Sequence, residues 1–523
     1  MFDADGHTDV VRRAFFMPDG QQVVSVSLDK SIRIWDVATG ETIRVLRPPI
    51  GRGIRGALRA AALSHDGTLL AVTGQRADPS LNVGPIYLVN LTTERIERVF
   101  QGHDDAVVAL AISRDKRKLA AGDGRKMRVW DLASGKLEQT LGAFERQIME
   151  VAFSPDSQLL AAASQDGNAE IWYLAKGVRS AQLIRHTKSV NCISWSPDGL
   201  LIATGSADGF VRLYPTPLRQ VYGAVSPRRT VLAHPAKAEV TAVSFSPDGK
   251  EVLATGTIVA QRGAVVSIPV VGDQVRIFPS PHTNTVMHGT LSADGQQAVT
   301  TGGNDHETFI WRMQDGTVTQ KLRGKGRSVW GVGWSADGQS IAWGNVNRGT
   351  TEFGTPLERS FRLSDLEFGA LPDGNYLRAI RSNAAWSLEV VDNDQLVIKG
   401  RDGAVNRFRT DGERINSFTL LGNDKAVVGG DLLMYLVELR TGKQLRYFAG
   451  HAANVFSLCP SPDGRYFVSG SADQTMRVWD PERQEPLVSL FVAGSEWIAW
   501  TPEGYYAASA GGERLMGWQL NHG

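Results

Sequence analysis

His451, Ser471, Asp473 and Trp479 stand within one stretch, HAANVFSLCPSPDGRYFVSGSADQTMRVWD (451–480). A histidine, a hydroxyl and a carboxylate are the residue types of nucleophilic acyl transfer. Their spacing carries another message. His to Asp is 22 residues and Asp to Trp is 6, and the same interval recurs at His7–Asp29–Trp35 and at His186–Asp208, with Tyr214 at the next 6. Such a set needs no catalytic explanation. A buried Asp in a tight turn must be hydrogen-bonded, a His and a Ser hydroxyl can do that, and an indole N–H supplies the remaining donor.

The elements that position these residues are short strands and turns. Val455 to Leu458 alternates as a strand does, and Ser461-Pro462-Asp463-Gly464 is a turn, since Pro fixes φ and Gly accepts φ > 0. Arg465 to Gly470 and Thr475 to Trp479 read as two further strands. The hairpin turn is the ruler for the whole chain. It appears as MPDG (17–20), SHDG (64–67), SRDK (113–116), SPDS (154–157), SPDG (196–199), SPDG (246–249), SADG (292–295), SADG (335–338), DND (392–394), GND (422–424), SPDG (461–464) and TPEG (501–504). Twelve turns in 523 residues give roughly 44 residues per unit. Two steps are irregular, a long one from 337 to 394 and a short one from 394 to about 424.

Formal net charge is +1, from 56 basic and 55 acidic residues, so nothing pulls the whole chain toward nucleic acid or an anionic membrane. The 55 Gly and 22 Pro suit the many tight turns of an all-β fold. The two cysteines, Cys192 and Cys459, sit in inner-strand patterns (NCISW, FSLCPS) and read as small core residues rather than a disulfide or metal pair. The acidic N-terminus shows no signal peptide, and no window reaches 18 consecutive apolar residues. A soluble, reducing, cytoplasmic setting is the expectation.

The His–Ser–Asp–Trp spacing and the unit length resemble the WD-repeat family, whose unit is one four-stranded blade of a β-propeller. Each blade is a twisted sheet with two apolar faces that only neighbouring blades can cover. Inner strands accordingly read as apolar runs: VVALAIS (107–113), VAFS (151–154), CISWS (192–196) and AVSFS (242–246). The resemblance implies a blade-stapling role for His7, Ser27, Asp29 and Trp35 and for His451, Ser471, Asp473 and Trp479. Other units keep fragments: Ser164, Asp166 and Trp172 without a His, and His282, Asp305 and Trp311 with Gly303 in the Ser place. Twelve blades exceed one ring, so the expectation is two tandem rings. Residues 1–323 would hold about seven blades and 324–523 about five, with six plus six as the rival. The last unit, from Gly494, shows three strands, so its outer strand must come from elsewhere. Residues 374–382 or the N-terminal tail are the candidates. The insert 345–358 reads as a long exposed loop.

The last unit, with SVWGVGWSADGQSIAWGN (328–345) and GSADQTMRVWD (470–480), is also similar to the repeat regions of bacterial multidomain proteins that carry a caspase-like peptidase domain. No such domain is present here, and no catalytic residue carries over. GRGIRG (51–56) matches G-x-G-x-x-G but lacks the flanking strand and helix of a dinucleotide site. His186 with Cys192 could suggest a thiol nucleophile, but the repeat spacing accounts for the His and an apolar strand for the Cys. Asp392-Asn393-Asp394 lacks the Gly and distal Glu of a calcium loop. The basic runs 114–118, 226–229 and 321–327 read as solvated loops or a linker. No cofactor or metal is expected.

Function then lies on the surface. In WD-repeat proteins partners often dock around the central channel. The residue just after the first apolar position of each inner strand is expected there: Arg12, Arg59, Val108, Met149, Asn191, Thr241 and Met287 in the first ring, Trp330 and Phe456 in the second. Met149, Met287, Trp330 and Phe456 would suit a protein or peptide ligand. The opposing reading is that they cap the channel by packing on each other. The favoured expectation is a non-catalytic interaction scaffold. The alternatives are a sensing or autoinhibitory module acting on a caspase-like or other effector, and, less favoured, a channel enzyme, for which the inner-strand positions just named offer no cluster of His, Asp or Glu.

Overall fold

The SPDG hairpins show why the chain folds into short antiparallel strands. In Ser196–Gly199 the Ser196 hydroxyl donates to Asp198 Oδ1 (2.5 Å) and accepts from the Leu201 amide (2.8 Å), while Asp198 Oδ1 also accepts from the Leu200 amide (2.9 Å). Gly199 closes the turn at φ +71°. These bonds hold the Asp198 carboxyl below its ordinary range, the Ser196 hydroxyl contributing most. The same Ser-to-Asp bond recurs at Ser64, Ser113, Ser154, Ser246, Ser292, Ser335 and Ser461. Where glycine is missing, Lys116 and Ser157 take the positive φ themselves.

A computed structural model of the chain describes residues 5–49, 56–74, 83–142, 144–216, 223–258, 262–303, 306–346, 355–371, 374–410 and 413–517. GRGIRG up to residue 55, Asp305 and most of the 345–358 insert lie outside them. The described residues form eleven sheets, almost wholly antiparallel, with one short 3₁₀ turn at Gly512–Leu515. The chain separates into two compact units, one of residues 10–51, 55–323 and 521–523, the other of 1–9, 52–54 and 324–520.

In the N-terminal unit seven sheets follow in chain order, six of four strands and one of five: the fourth sheet adds Gly223–Val225 parallel to Val178–Leu183, and the fifth takes the next strand, Arg229–Leu232, as its last. The first strand of each sheet packs on the first strand of the next, and Val286–Leu291 packs on Val11–Phe16, returning the series to its start. Ala14, Val23, Trp35, Val299 and Ile310 form the core between the last sheet and the first. Close approach has a sequence requirement: a Cβ on Gly205 would stand 2.4 Å from Val240 Cγ1 of the next inner strand.

The C-terminal unit is less regular. Its sheets hold five, three, four and six strands. The short step at 394–424 is the three-stranded sheet Trp386–Asp392, Gln395–Gly400 and Val405–Arg409. The final unit does not form a separate blade. After Val488–Ala493 a turn at Gly494 (φ +67°) lets Glu496–Trp500 and Tyr506–Ala508 continue the sheet begun by Val455–Pro460. Twelve blades were expected, and the described residues form eleven sheets because this one grows instead of ending. Nor does the 374–382 segment complete the last unit: Tyr376–Leu377 pairs with Gly331–Ser335. Residues of the N-terminal tail do contact this unit, as Gln474 Nε2 donates to the His7 carbonyl (3.2 Å).

Candidate functional site

The polar quartets are buried relays. His451 Nδ1 lies 2.9 Å from Asp473 Oδ2, His451 Nε2 lies 2.7 Å from Ser469 Oγ, and Trp479 Nε1 donates to Ser469 Oγ (2.7 Å). An indole only donates and a carboxylate only accepts, so the run is indole to hydroxyl, hydroxyl to imidazole, imidazole to carboxylate. The bridging hydroxyl is therefore Ser469, not the expected Ser471. Ser471 is spent on the turn: its hydroxyl donates to the Ala453 carbonyl (3.0 Å) and accepts from the Asp473 amide (3.1 Å). The first repeat makes the same correction. Trp35 Nε1 donates to Ser25 Oγ (2.7 Å), while Ser27 Oγ accepts from the Asp29 amide (3.1 Å). In the seventh sheet Thr300 Oγ1 joins His282 (2.8 Å) to Trp311 (2.7 Å), and Glu307 Oε2 lies 3.8 Å from His282 Nδ1. The overlooked signal was a hydroxyl 18 residues after the His, as in Thr204, Thr300 and Ser469.

Burial drives these titrations. It lowers His451, against the pull of Asp473, and lowers His282 to about 3. Burial would raise Asp473, but His451, Arg477 and Thr475 together hold it well below the usual carboxylate range. The His451 and His282 relays are buried throughout, from imidazole to indole and carboxylate.

The expected docking residues share one local geometry. Arg12, Arg59, Val108, Met149, Asn191, Thr241, Met287 and Phe456 are each the extra residue of a β-bulge, where the inner strand slips against its neighbour. A bulge leaves its residue unpaired and re-aims the side chain. All eight are half-buried. Some reach to the next sheet. Asn191 Nδ2 donates to the Val240 carbonyl (2.9 Å), Thr241 Oγ1 donates to the Val286 carbonyl, and Arg12 Nη1 lies 3.8 Å from Met287 Sδ. In the C-terminal unit Trp330 precedes Gly331–Ser335 and stacks on Phe456 at 3.9 Å and 8°. That pair satisfies itself, which is the capping alternative.

One residue further along, three of these strands place charged or polar groups that the sequence reading passed over. Arg13 Nη2 donates to Glu150 Oε2 (2.6 Å), linking the first and fourth inner strands, with the side chains 12% and 18% exposed. His288 packs edge-on against Phe15 (5.4 Å). The positions named from the sequence hold no His, Asp or Glu, but the residue after them does in two strands and is Arg in a third: VRRAFF, IMEVAF and VMHGTL each carry a charged or polar group directly after the bulge. Burial, then the charge of Arg13, holds His288 far below its ordinary value, and burial raises Glu150 despite Arg13. A cavity of about 380 Å³ bounded by Glu150, His288, Cys192, His65 and Arg114 opens toward the hairpin-turn end. Burial pushes the Cys192 thiol up, so it stays protonated, and His186 is engaged by Asp208 (3.0 Å) and Thr204 (2.7 Å).

Residues 2–36, 94–131, 135–173, 177–214, 225–257 and 442–480 match the family described as WD domain, G-beta repeat. The chain carries WD40 repeats. Relatives are WD-repeat proteins too. WD repeat-containing protein 82 of Drosophila melanogaster is 29% identical over 171 residues, 31% of this chain and 50% of that protein. Protein LST8 homolog of the same fly is 29% identical over 174 residues, 31% of this chain and 51% of its own. An uncharacterized WD repeat-containing protein of Synechocystis is 29% identical over 161 residues, covering 30% of this chain and 42% of that one. The chain spans about half the length of the two fly proteins. Nothing in these relatives bears on a caspase-like association. Among the described residues no helix is long and apolar enough to cross a membrane.

Proposed function

We propose that this WD40-repeat chain is a non-catalytic scaffold that holds protein segments at the channel mouth of its N-terminal unit, a ring of seven blades, with residues 324–523 as a second, degenerate ring. The observation that carries this is the bulge layer. Seven successive inner strands each give up a ladder position to set one half-buried side chain at the same level, and a packed core alone has no use for that arrangement. Met149 and Met287 offer adaptable apolar contact there. Two buried, free cysteines suit a reducing, cytoplasmic setting. Display of random peptides against the full chain tests the reading. Selected peptides should lose binding on Met149→Ala and Met287→Ala, and peptides indifferent to both variants would remove this mouth from consideration.

A further inference from the structure

Three arginines of the N-terminal unit that lie largely out of water meet carboxylates. Arg13 meets Glu150, Arg128 meets Asp123, and Arg212 meets Asp208 at 2.9 Å. Arg59 differs. It is the bulged residue of Leu58–Leu63, it is half-buried, and it makes no hydrogen bond or ion pair with any described residue. Burial depresses its guanidinium with no neighbouring charge acting in the other direction. A desolvated cation without a counter-charge is unfavourable, so a fold that keeps one at a mouth leaves a place for an anion. The rest of the layer agrees in sign. Arg12 is a second cation, no bulge position is acidic, and Glu239, bonded to Asn191 (3.2 Å), is the carboxylate this layer engages. Below it, Arg13 and Glu150 cancel each other.

We propose that the N-terminal mouth binds an acidic protein segment, Arg59 gripping an Asp or Glu carboxylate while Met149 and Met287 take an adjoining apolar side chain. The proposal rests on the docking reading above and gives the partner its chemistry. A carboxylate can accept two parallel N–H bonds from the planar guanidinium, which a lysine cannot offer. Arg59 thus selects the partner, and the methionines supply contact area.

The experiment uses the same display on the full chain, followed by affinity measurement of a selected peptide. Selected sequences should be enriched in Asp or Glu beside an apolar residue. The peptide's Glu→Gln version, and Arg59→Met in the protein, should each weaken binding by about 10- to 100-fold, the worth of a charge-assisted bond. Arg59→Lys should recover only part of the loss. Arg59→Met should melt no lower than wild type, since an unpaired cation has gone, which separates lost recognition from lost folding. Peptides that depend on Met149 and Met287 but show no acidic preference, or ignore Arg59→Met, would overturn this proposal and leave the docking reading standing. Peptides indifferent to the methionines as well would remove both. A phosphoserine peptide that binds where its Glu counterpart does not would overturn the carboxylate assignment.

Discussion

Removing Arg13 should destabilise the N-terminal unit in a way that acid repairs, whereas removing Glu150 should not be repairable. With side chains 12% and 18% exposed, the pair sits where breaking one partner strands a charge, at about 3–5 kcal/mol. In Arg13→Met the stranded group is a carboxylate, and it has an escape: it can take up a proton. Its unfolded value is near 4.3, and each pH unit above that costs about 1.4 kcal/mol, so the penalty at pH 7 is capped at about 4 kcal/mol. Glu150 is already raised by burial with Arg13 present. Without Arg13 its folded value lies higher still, so the folded state binds more protons than the unfolded one between the two values, and stability rises as pH falls through that window. The loss from Arg13→Met should shrink from about 3–4 kcal/mol at pH 7 to under about 1 at pH 5. A guanidinium has no such escape, so Glu150→Met should lose about 3–5 kcal/mol at both pH values. Arg13→Met/Glu150→Met should return to within about 1 kcal/mol of wild type, since two apolar side chains replace a paired charge. Amide exchange in Val11–Phe16 and Ile148–Phe153 at pH 5 and 7, corrected for intrinsic rates, localises the effect to this unit. Single variants within 1 kcal/mol of wild type, or losses that add in the double variant, would refute an ion pair between these strands.

Ser469→Ala strands both His451 Nε2 and the Trp479 indole, and should cost about 2–4 kcal/mol with a shift in tryptophan fluorescence. His282, held at about 3, binds a proton in the unfolded chain below about 6.5, so stability should fall as pH drops from 6.5 toward 3. His282→Gln should flatten that part of the pH–stability curve. Gly205→Ala drives a methyl against Val240 and Cys192 Sγ (2.6 Å) and should lose about 1–3 kcal/mol in chemical denaturation. Cys192 and Cys459, both buried, should react with a thiol reagent only at the rate the fold opens.

Much of the fold was legible because its signals are local. The Ser-x-Asp-Gly turn is closed by atoms within five residues of one another, as Ser196, Asp198, Gly199 and Leu201 show, so every copy announces itself in sequence. The inner-strand position after the first apolar residue was also legible, since the bulge recurs at a fixed place in the seven sheets of the N-terminal unit and in Val455–Pro460. The fate of the last unit was not legible. Whether Glu496–Trp500 begins a new blade or extends an old one depends on pairing with Val488–Ala493, a choice that turns on Gly494 and not on strand propensity.

By itself the sequence determined the repeat period, the all-β class and the identity of His451, Asp473 and Trp479 as one buried set, because each follows from spacing along a single strand-turn-strand path. Only the tertiary structure decided which hydroxyl joins that set. Ser469 and Ser471 lie on the same strand two residues apart, and only the fold shows Ser469 under the indole and Ser471 closing the turn. It also decided that Arg13 meets Glu150, 137 residues away, and that Arg59 meets no counter-charge among the described residues. Such charge partners come from closing a series of sheets on itself, and no local pattern encodes which side chains then face each other.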